Sequence, residues 1–302
     1  MEMRVATFAL SDQMIAAALR TQSIMANEQI QESSGVISED FAGYGAGTQS
    51  VINLQVSVTR AQAYIDAATQ TDSKVQVMYS AVGSVANLIT SLRTQLSAAT
   101  TGSSTDTASL ISSAQGMLSE MGSILNTQYD GEYVFSGAST STAPVDLTSF
   151  DSGTGSLSTA DTSYYQGDDQ IASVRVADDQ NVNYGVTADN SAFEQVMRVL
   201  KYIANSTSLS SSDIATALDM ASSALDATSV VQSKLSDADS QIKDASSRQT
   251  DYKSYTSTLA SDLTSVDVAA VTAQLATYQS QLEASYSAIS KIQSMSLASY
   301  LK

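Results

Sequence analysis

The apolar positions of the last stretch, 267–302, fall on alternating three- and four-residue steps. Val268, Val271, Leu275, Tyr278, Leu282, Ile289 and Ile292 carry the series, with Ser285 in its one weak slot. That spacing predicts one helix with a single apolar stripe. At ~1.5 Å per residue the helix would run roughly 50 Å. Its other side is Ser, Thr, Gln and Ala, and after Asp267 the only charges are Glu283, Lys291 and Lys302. A solvated helix usually carries charge on its outer face; small uncharged side chains suit close packing against further helices. The first stretch, 4–34, has the same character, with Phe8, Ile15, Leu19, Ala26 and Ile30 on one stripe. Phe8, Leu19 and Ile30 step by eleven, as do Leu275, Tyr286 and Leu297. Eleven residues are close to three straight helical turns. Both ends therefore read as amphipathic helices built to meet.

Between the ends run two seven-residue repeats. The first passes through Val51, Leu54, Val58, Ala61, Ile65, Ala68, Asp72, Val75, Tyr79, Val82, Ala86 and Ile89, and only Asp72 breaks it. It predicts a long coiled-coil-like helix ending near 100–105. A shorter helix follows through Ile111, Ala114, Leu118, Met121, Leu125 and Gln128. The second long repeat passes through Ile214, Ala217, Ala221, Ala224, Thr228, Val231, Leu235, Ala238, Ile242, Ala245, Gln249, Tyr252 and Leu259. Ser212 or Asp213 is expected to cap its start. Its phase slips near 264–267, the expected joint to the last helix.

The helical pattern fails in two places. Residues 35–47 hold four glycines and read as a loop or an extended connector. At 126 the text turns to NTQYDGEYVFSG, where Asp130-Gly131 is a hairpin dipeptide and Tyr133, Val134 and Phe135 favour strand. Strand-like alternation recurs at 171–176 and 182–186. Helical text then resumes at Ser191, with Phe193, Val196, Leu200 and Ile203.

The whole pattern predicts a mainly α protein: a long antiparallel coiled-coil-like helical bundle formed by N- and C-terminal arms, with a small β-rich insert domain. The expected domains are paired terminal helices at 1–45 and 260–302, a long-helix bundle at 46–136 and 191–259, and a β-rich outer insert at 137–190. Lying outside the heptad seams, the insert is expected on the outer surface and dispensable for assembly, and deleting about 139–189 is expected to leave the long-helix domain folded.

Composition narrows the chemistry. The 302 residues carry a net charge of −17 with no Lys/Arg cluster, which argues against nucleic acid and anionic membranes. Cys and His are absent, removing the usual thiolate sites, the commonest general base and the commonest metal ligand. No apolar run reaches the ~18–20 residues that span a bilayer, so no membrane insertion is expected. The N-terminus is not read as a cleavable secretory signal. Asp168-Asp169 and Asp178-Asp179 flank a strand without calcium-loop spacing and read as solvated turn carboxylates. Gly43, Gly45 and Gly47 lack the Lys-Ser/Thr of a phosphate loop. No enzyme, cofactor or metal is expected.

Four segments together resemble the bacterial flagellin superfamily, most closely its branch of flagellar hook–filament junction proteins (hook-associated protein 3). They are MRVATFALSDQMIAAALRTQSIMANEQIQESSG at 3–35, NTQYDGEYVFSG at 126–137, YYQGDDQIASVRVADDQNVNYGVTADNSAF at 164–193, and QLEASYSAISKIQSMSLASYL at 281–301. The connector SEDFAGYGAG departs from the family, which usually has a proline-containing stretch there. The resemblance implies an exported, extracellular structural subunit of the flagellum at the hook–filament junction. It would self-assemble through paired terminal helices. Implied partners are copies of itself, the hook-side junction protein, flagellin and an export chaperone. The expected assembly interface is Phe8, Ile15, Leu19, Ile30, Leu275, Leu282, Ile289 and Leu297. A short flagellin forming the filament itself, or a non-flagellar coiled-coil signalling protein, are the alternatives. A carbohydrate-binding or adhesive role for the insert could coexist with the first reading.

Overall fold

The computed structural model describes residues 2–101, 104–148, 150 and 155–298, with side chains over 9–100, 107–148, 150 and 155–292. Among these are six helices: α1 (Glu2–Ser34), α2 (Thr48–Thr101), α3 (Ser104–Leu125), α4 (Ser191–Ala204), α5 (Ser211–Thr264) and α6 (Val268–Ala298). Two antiparallel hairpins, β1 (Gln128–Tyr129) with β2 (Glu132–Tyr133) and β3 (Ser173–Ala177) with β4 (Gln180–Asn183), lie between α3 and α4. The chain divides into two compact units, Met1–Thr59 with Lys253–Lys302, and Arg60–Tyr252. Both divisions fall inside a helix, one in α2 and one in α5.

In the first unit α1 packs on α6. Gly35 ends α1 with a left-handed φ of +71° and donates its N–H to Gln31 O at 2.8 Å, the usual glycine stop. The chain then forms a short bridge: Ile37 N–H donates to Thr264 O at 2.8 Å and Val266 N–H to Gly35 O at 3.0 Å. The slip at 264–267 is thus a real joint, and Asp267 opens α6 by accepting from Ala269 and Ala270 N–H. The glycine-rich connector differs from expectation. Phe41–Gly47 is a 3-10 helix, kinked at Gly45, whose φ of +54° a side chain would resist.

In the second unit α2 and α5 run antiparallel. Asp72 meets Lys243 at 3.3 Å, Val75 and Tyr79 share a cleft with Leu235 and Asp239, and Gly83 sits beside Gln232. The α5 seam follows its repeat, with Ile214 through Ala245 buried at each predicted step. The α2 seam is corrected by one position. From Ala68 onward the buried line is Thr71, Val75, Met78, Val82, Val85, Ile89, Leu92 and Leu96, while Tyr79 is exposed. Both lines share Val75, Val82 and Ile89, and volume decides between their neighbours: Met78 and Val85 fill the seam better than Tyr79 and Ala86. Thr71, not Asp72, holds the inner slot. By length and composition α2 could cross a membrane, but these residues fill the core of this unit instead. The same change of face occurs on α5, where Thr256 is buried while Tyr252 and Leu259 are exposed.

The insert joins this core. Asp130 and Gly131 take φ of +52° and +79°, turning β1 into β2 as the Asp-Gly pair requires. Asn126 pairs with Val145 like a strand backbone, donating to its carbonyl and accepting from its N–H, both at 2.9 Å. Phe135 stacks edge-on with Phe193 of α4 at 6.1 Å. Tyr164, wholly buried, donates its hydroxyl to Ala188 O at 3.0 Å. Val174, Val176 and Val182 complete a core shared with α3 and α4. The insert therefore shares its core with α3 and α4 and is not a loose surface addition.

Two charges of α4 are buried with it. Lys201 pairs with Asp161 at 2.7 Å and lies 4.1 Å over the Phe150 ring. Glu194 pairs with Arg198 at 3.0 Å and accepts Asp161 N–H at 2.8 Å. Burial pushes the Asp161 carboxyl up, but Lys201 and the Ser163 hydroxyl and N–H outweigh it and hold it at about 2. In the α2–α5 seam, burial and then Asp239 raise the Asp72 carboxyl, against the opposing pull of Gln76 and Lys243. The second long helix is capped two or three residues before the expected place: Ser210 Oγ accepts Asp213 N–H at 3.1 Å, and Asp213 accepts Ser210 N–H at 3.0 Å. This is a reciprocal capping box with Asp in the third position.

Candidate assembly surface

The apolar residues of the terminal helices fall on two kinds of face. On α6, Val271 and Leu275 are buried, and Tyr278, Leu282, Ser285, Ile289 and Ile292 are half-buried. That single line is the face packed on α1. On α1 the matching line is Ser11, Met14, Ala18, Thr21, Met25 and Glu28, half-buried except for Ala18, which is buried. Thr272 ties the pair by donating to Glu32 at 2.8 Å. Small and unbranched side chains let the helices approach closely here.

Ile15, Leu19 and Ile30 lie elsewhere. They sit roughly a third of the circumference around α1 from the inner line, at ~100° per residue. All three are exposed, Leu19 by 59%. The expected interface residues thus separate: Leu275, Leu282 and Ile289 lie on the buried and half-buried line of α6, whereas Ile15, Leu19 and Ile30 lie on the exposed side of α1. The side chains of Phe8 and Leu297 lie outside the described residues.

The same unit exposes further large apolar groups that the sequence reading left out or assigned inward. Tyr255, Leu259 and Leu263 line one face of α5, with Tyr255 70% exposed. Leu10, Ile24, Phe41, Val56, Val268 and Tyr286 are also exposed. Isolated exposed apolar side chains are ordinary; an accumulation on one unit signals packing against something else. The signal for Tyr255 and Leu263 was present as helical spacing, but a period alone does not say which of two neighbouring lines turns inward.

Carboxylates considered for chemistry are engaged in the fold. Asp168 accepts from Ala138 N–H at 2.8 Å, Gln170 N–H at 3.0 Å and Ser139 hydroxyl at 3.0 Å, which hold it below the usual carboxylate range. Asp178 accepts from Tyr64 hydroxyl at 2.8 Å and Arg60 at 3.0 Å, with the same effect. Among the described residues no group of three or more acidic side chains could hold a metal ion.

Comparison with known proteins bears on what these faces serve. Residues 5–140 match the family profile of the bacterial flagellin N-terminal helical region, and residues 218–301 that of the C-terminal helical region. No curated protein matches the chain in sequence. Among solved structures, a protein described as flagellar hook-associated from Vibrio parahaemolyticus superposes with a TM-score of 0.61 at 15% identity, over 75% of this chain and 99% of that one. The flagellar hook-associated protein 3 of Legionella pneumophila gives 0.46 at 15% identity, over 72% and 97%. The first likeness shows a shared fold. With both helical regions matched over well over half its length, the chain belongs to the bacterial flagellin family, as a flagellin-like structural protein of the flagellum.

Proposed function

We propose that the protein is the structural adaptor between hook and filament, exported to the distal end of the hook. There it would assemble with copies of itself, contact the hook-side junction protein on one side and receive flagellin on the other, after delivery by an export chaperone. The observation that carries the reading is the uncovered apolar face of α1, Ile15, Leu19 and Ile30, next to an α6 that already has its partner. Full burial of such a side chain contributes about 1.5–3 kcal/mol, a gain realised only when other subunits pack on it. Repetition around a closed ring multiplies the gain per assembly. The resemblance of 164–193 and 281–301 to junction proteins favours the adaptor over a filament-forming short flagellin.

Immunogold labelling of intact flagella tests the proposal. The expected result is a band at the hook end, with flagellin released into the medium when the gene is deleted. Label along the whole filament would overturn the adaptor reading in favour of a short flagellin.

A further inference from the structure

We propose that the second unit carries a binding site for a neutral saccharide, in the groove between the β4–α4 segment and α5. The groove encloses about 450 Å³, within the ~300–1,000 Å³ common for small-ligand sites. Its floor is apolar: Val186, Val231 and Leu235 are buried there. Its rim is polar, with Asn183 and Tyr184 on one wall and Lys234, Asp237 and Gln241 along one edge of α5.

The rim stands out by what it leaves unused. Elsewhere on the insert, Asp161, Asp168, Asp178 and Gln180 are each tied to a named partner. Among the described residues, no intrachain hydrogen bond forms at the side chains of Asn183, Tyr184 and Gln241, and no ion pair at Lys234 and Asp237. An apolar floor ringed by unengaged amides, a phenol and one charge of each sign presents both halves of a complementary surface. One half takes C–H groups and the other takes hydroxyls.

Charge and backbone geometry select the ligand class. Lys234 and Asp237 offset each other locally, and the chain's net charge of −17 disfavours an anionic ligand. At Tyr184 and Gly185 an extended polypeptide finds no free N–H to join. The N–H groups of Tyr184 and Gly185 both donate to Ala172 O, at 3.0 and 3.1 Å, so recognition there falls to side chains. A pyranose fits what remains, its C–H face on the floor and its hydroxyls on the rim. The wall is also fixed in place. A Cβ at Gly185 would lie 2.4 Å from Ala172 N, and the hairpin end is held by Asp178 to Arg60 and by Gln180 to Arg248 at 3.1 Å. A site held rigid loses less entropy on binding.

The inference does not depend on where in the flagellum the protein sits. The test is NMR titration of the full chain with maltose, cellobiose and N,N′-diacetylchitobiose, following the side-chain amide signals of Asn183 and Gln241. At least one of these is expected to shift both signals saturably, and Gln241→Ala to weaken that binding by about fivefold or more, with an unchanged thermal melt. Asn183→Ala provides a second variant on the opposite wall. The proposal is overturned if no probe shifts the signals up to about 50 mM, a range that reaches even weak sites. It is equally overturned if both variants bind as the parent does, or if only glucuronate or a short Ser/Thr peptide causes the shifts.

Discussion

At the residue scale, two carboxylates make opposite statements about pH. Asp161 is held at about 2 by Lys201 and Ser163 against the cost of burial, below an unfolded value of ~3.9. Its folded pKa is depressed, so its contribution is present above about pH 4 and is lost as pH falls toward 2. The shift corresponds to about 1–2 kcal/mol once partial exposure is allowed for. Asp161→Asn is expected to lower stability by at least that amount at pH 7, because Lys201 is left buried without its partner. The difference should shrink as urea unfolding is repeated at lower pH, and a gap that stays constant down to pH 2.5 would contradict the assignment. Asp72 behaves in reverse. Burial and Asp239 raise its pKa, so its favourable term is complete only below the unfolded value and is lost as pH rises through the folded one. Asp72→Asn should therefore raise the melting temperature at pH 7 and make little difference near pH 3. The sequence marks Asp72 as the one break in a heptad, but it cannot show that the helix turns Thr71 inward and sets the carboxylate beside Lys243. Nor can it show that Lys201 and Glu194 are buried, since both sit among residues that elsewhere face water.

At the element scale, what was legible depended on how many faces of a helix are apolar. α4 has one, and Phe193, Val196, Leu200 and Ile203 are all buried where their spacing places them. The Asp130-Gly131 turn was legible because few other dipeptides adopt two successive left-handed residues. The seam of α2 was legible only to within a residue, since two lines share Val75, Val82 and Ile89. α1 offers two apolar lines, and the sequence selects the longer side chains of Ile15, Leu19 and Ile30. The partner helix takes the slimmer line of Met14, Ala18 and Met25, because close helix approach favours small groups. This separates two experiments that the sequence alone would merge. Leu275→Asp places a carboxylate in the α1–α6 seam and should cost several kcal/mol of that pairing. Leu19→Asp leaves the seam untouched and should not change the helical content or melt of the isolated protein. It should nevertheless abolish incorporation into flagella, with loss of swimming and release of flagellin. Leu282→Asp, half-buried in the seam, is expected to fail in both respects, whereas Glu283→Ala should be tolerated within roughly ±0.5 kcal/mol. Normal swimming with Leu19→Asp located at the hook would remove the outer face of α1 from the assembly surface.

At the scale of the whole molecule, burial is shared unevenly between the two units. Among the described residues, the first unit buries only Ala18, Val51, Val271, Leu275 and Thr256. Large apolar side chains contribute about 1.5–3 kcal/mol each on full burial, while ordering the backbone costs about 1–2 kcal/mol per residue. Helices as long as α1 and α6 cannot be held firmly by so thin a seam in isolation. The second unit has a continuous core from α2 through the insert to α5. Removing 139–189 from it with a short linker would uncover Phe135, Phe193 and their neighbours and leave Lys201 without Asp161. That deletion is expected to lower the melting temperature markedly, and a melt at the parent temperature would show that the shared core adds little. The thin first unit leads to the complementary expectation for the intact monomer. Local opening scales with how little apolar surface holds a segment, so limited proteolysis at low protein concentration should remove both ends first. The surviving fragment should begin between about residues 45 and 60 and end between about 252 and 260, where α2 and α5 enter the larger core. Assembly should protect the ends, because Ile15, Leu19, Ile30, Tyr255 and Leu263 then gain the cover they lack in a single chain. A monomer whose termini resist protease as well as its middle would mean that the α1–α6 pair is self-sufficient. The exposed face of α1 would then need an explanation other than subunit packing.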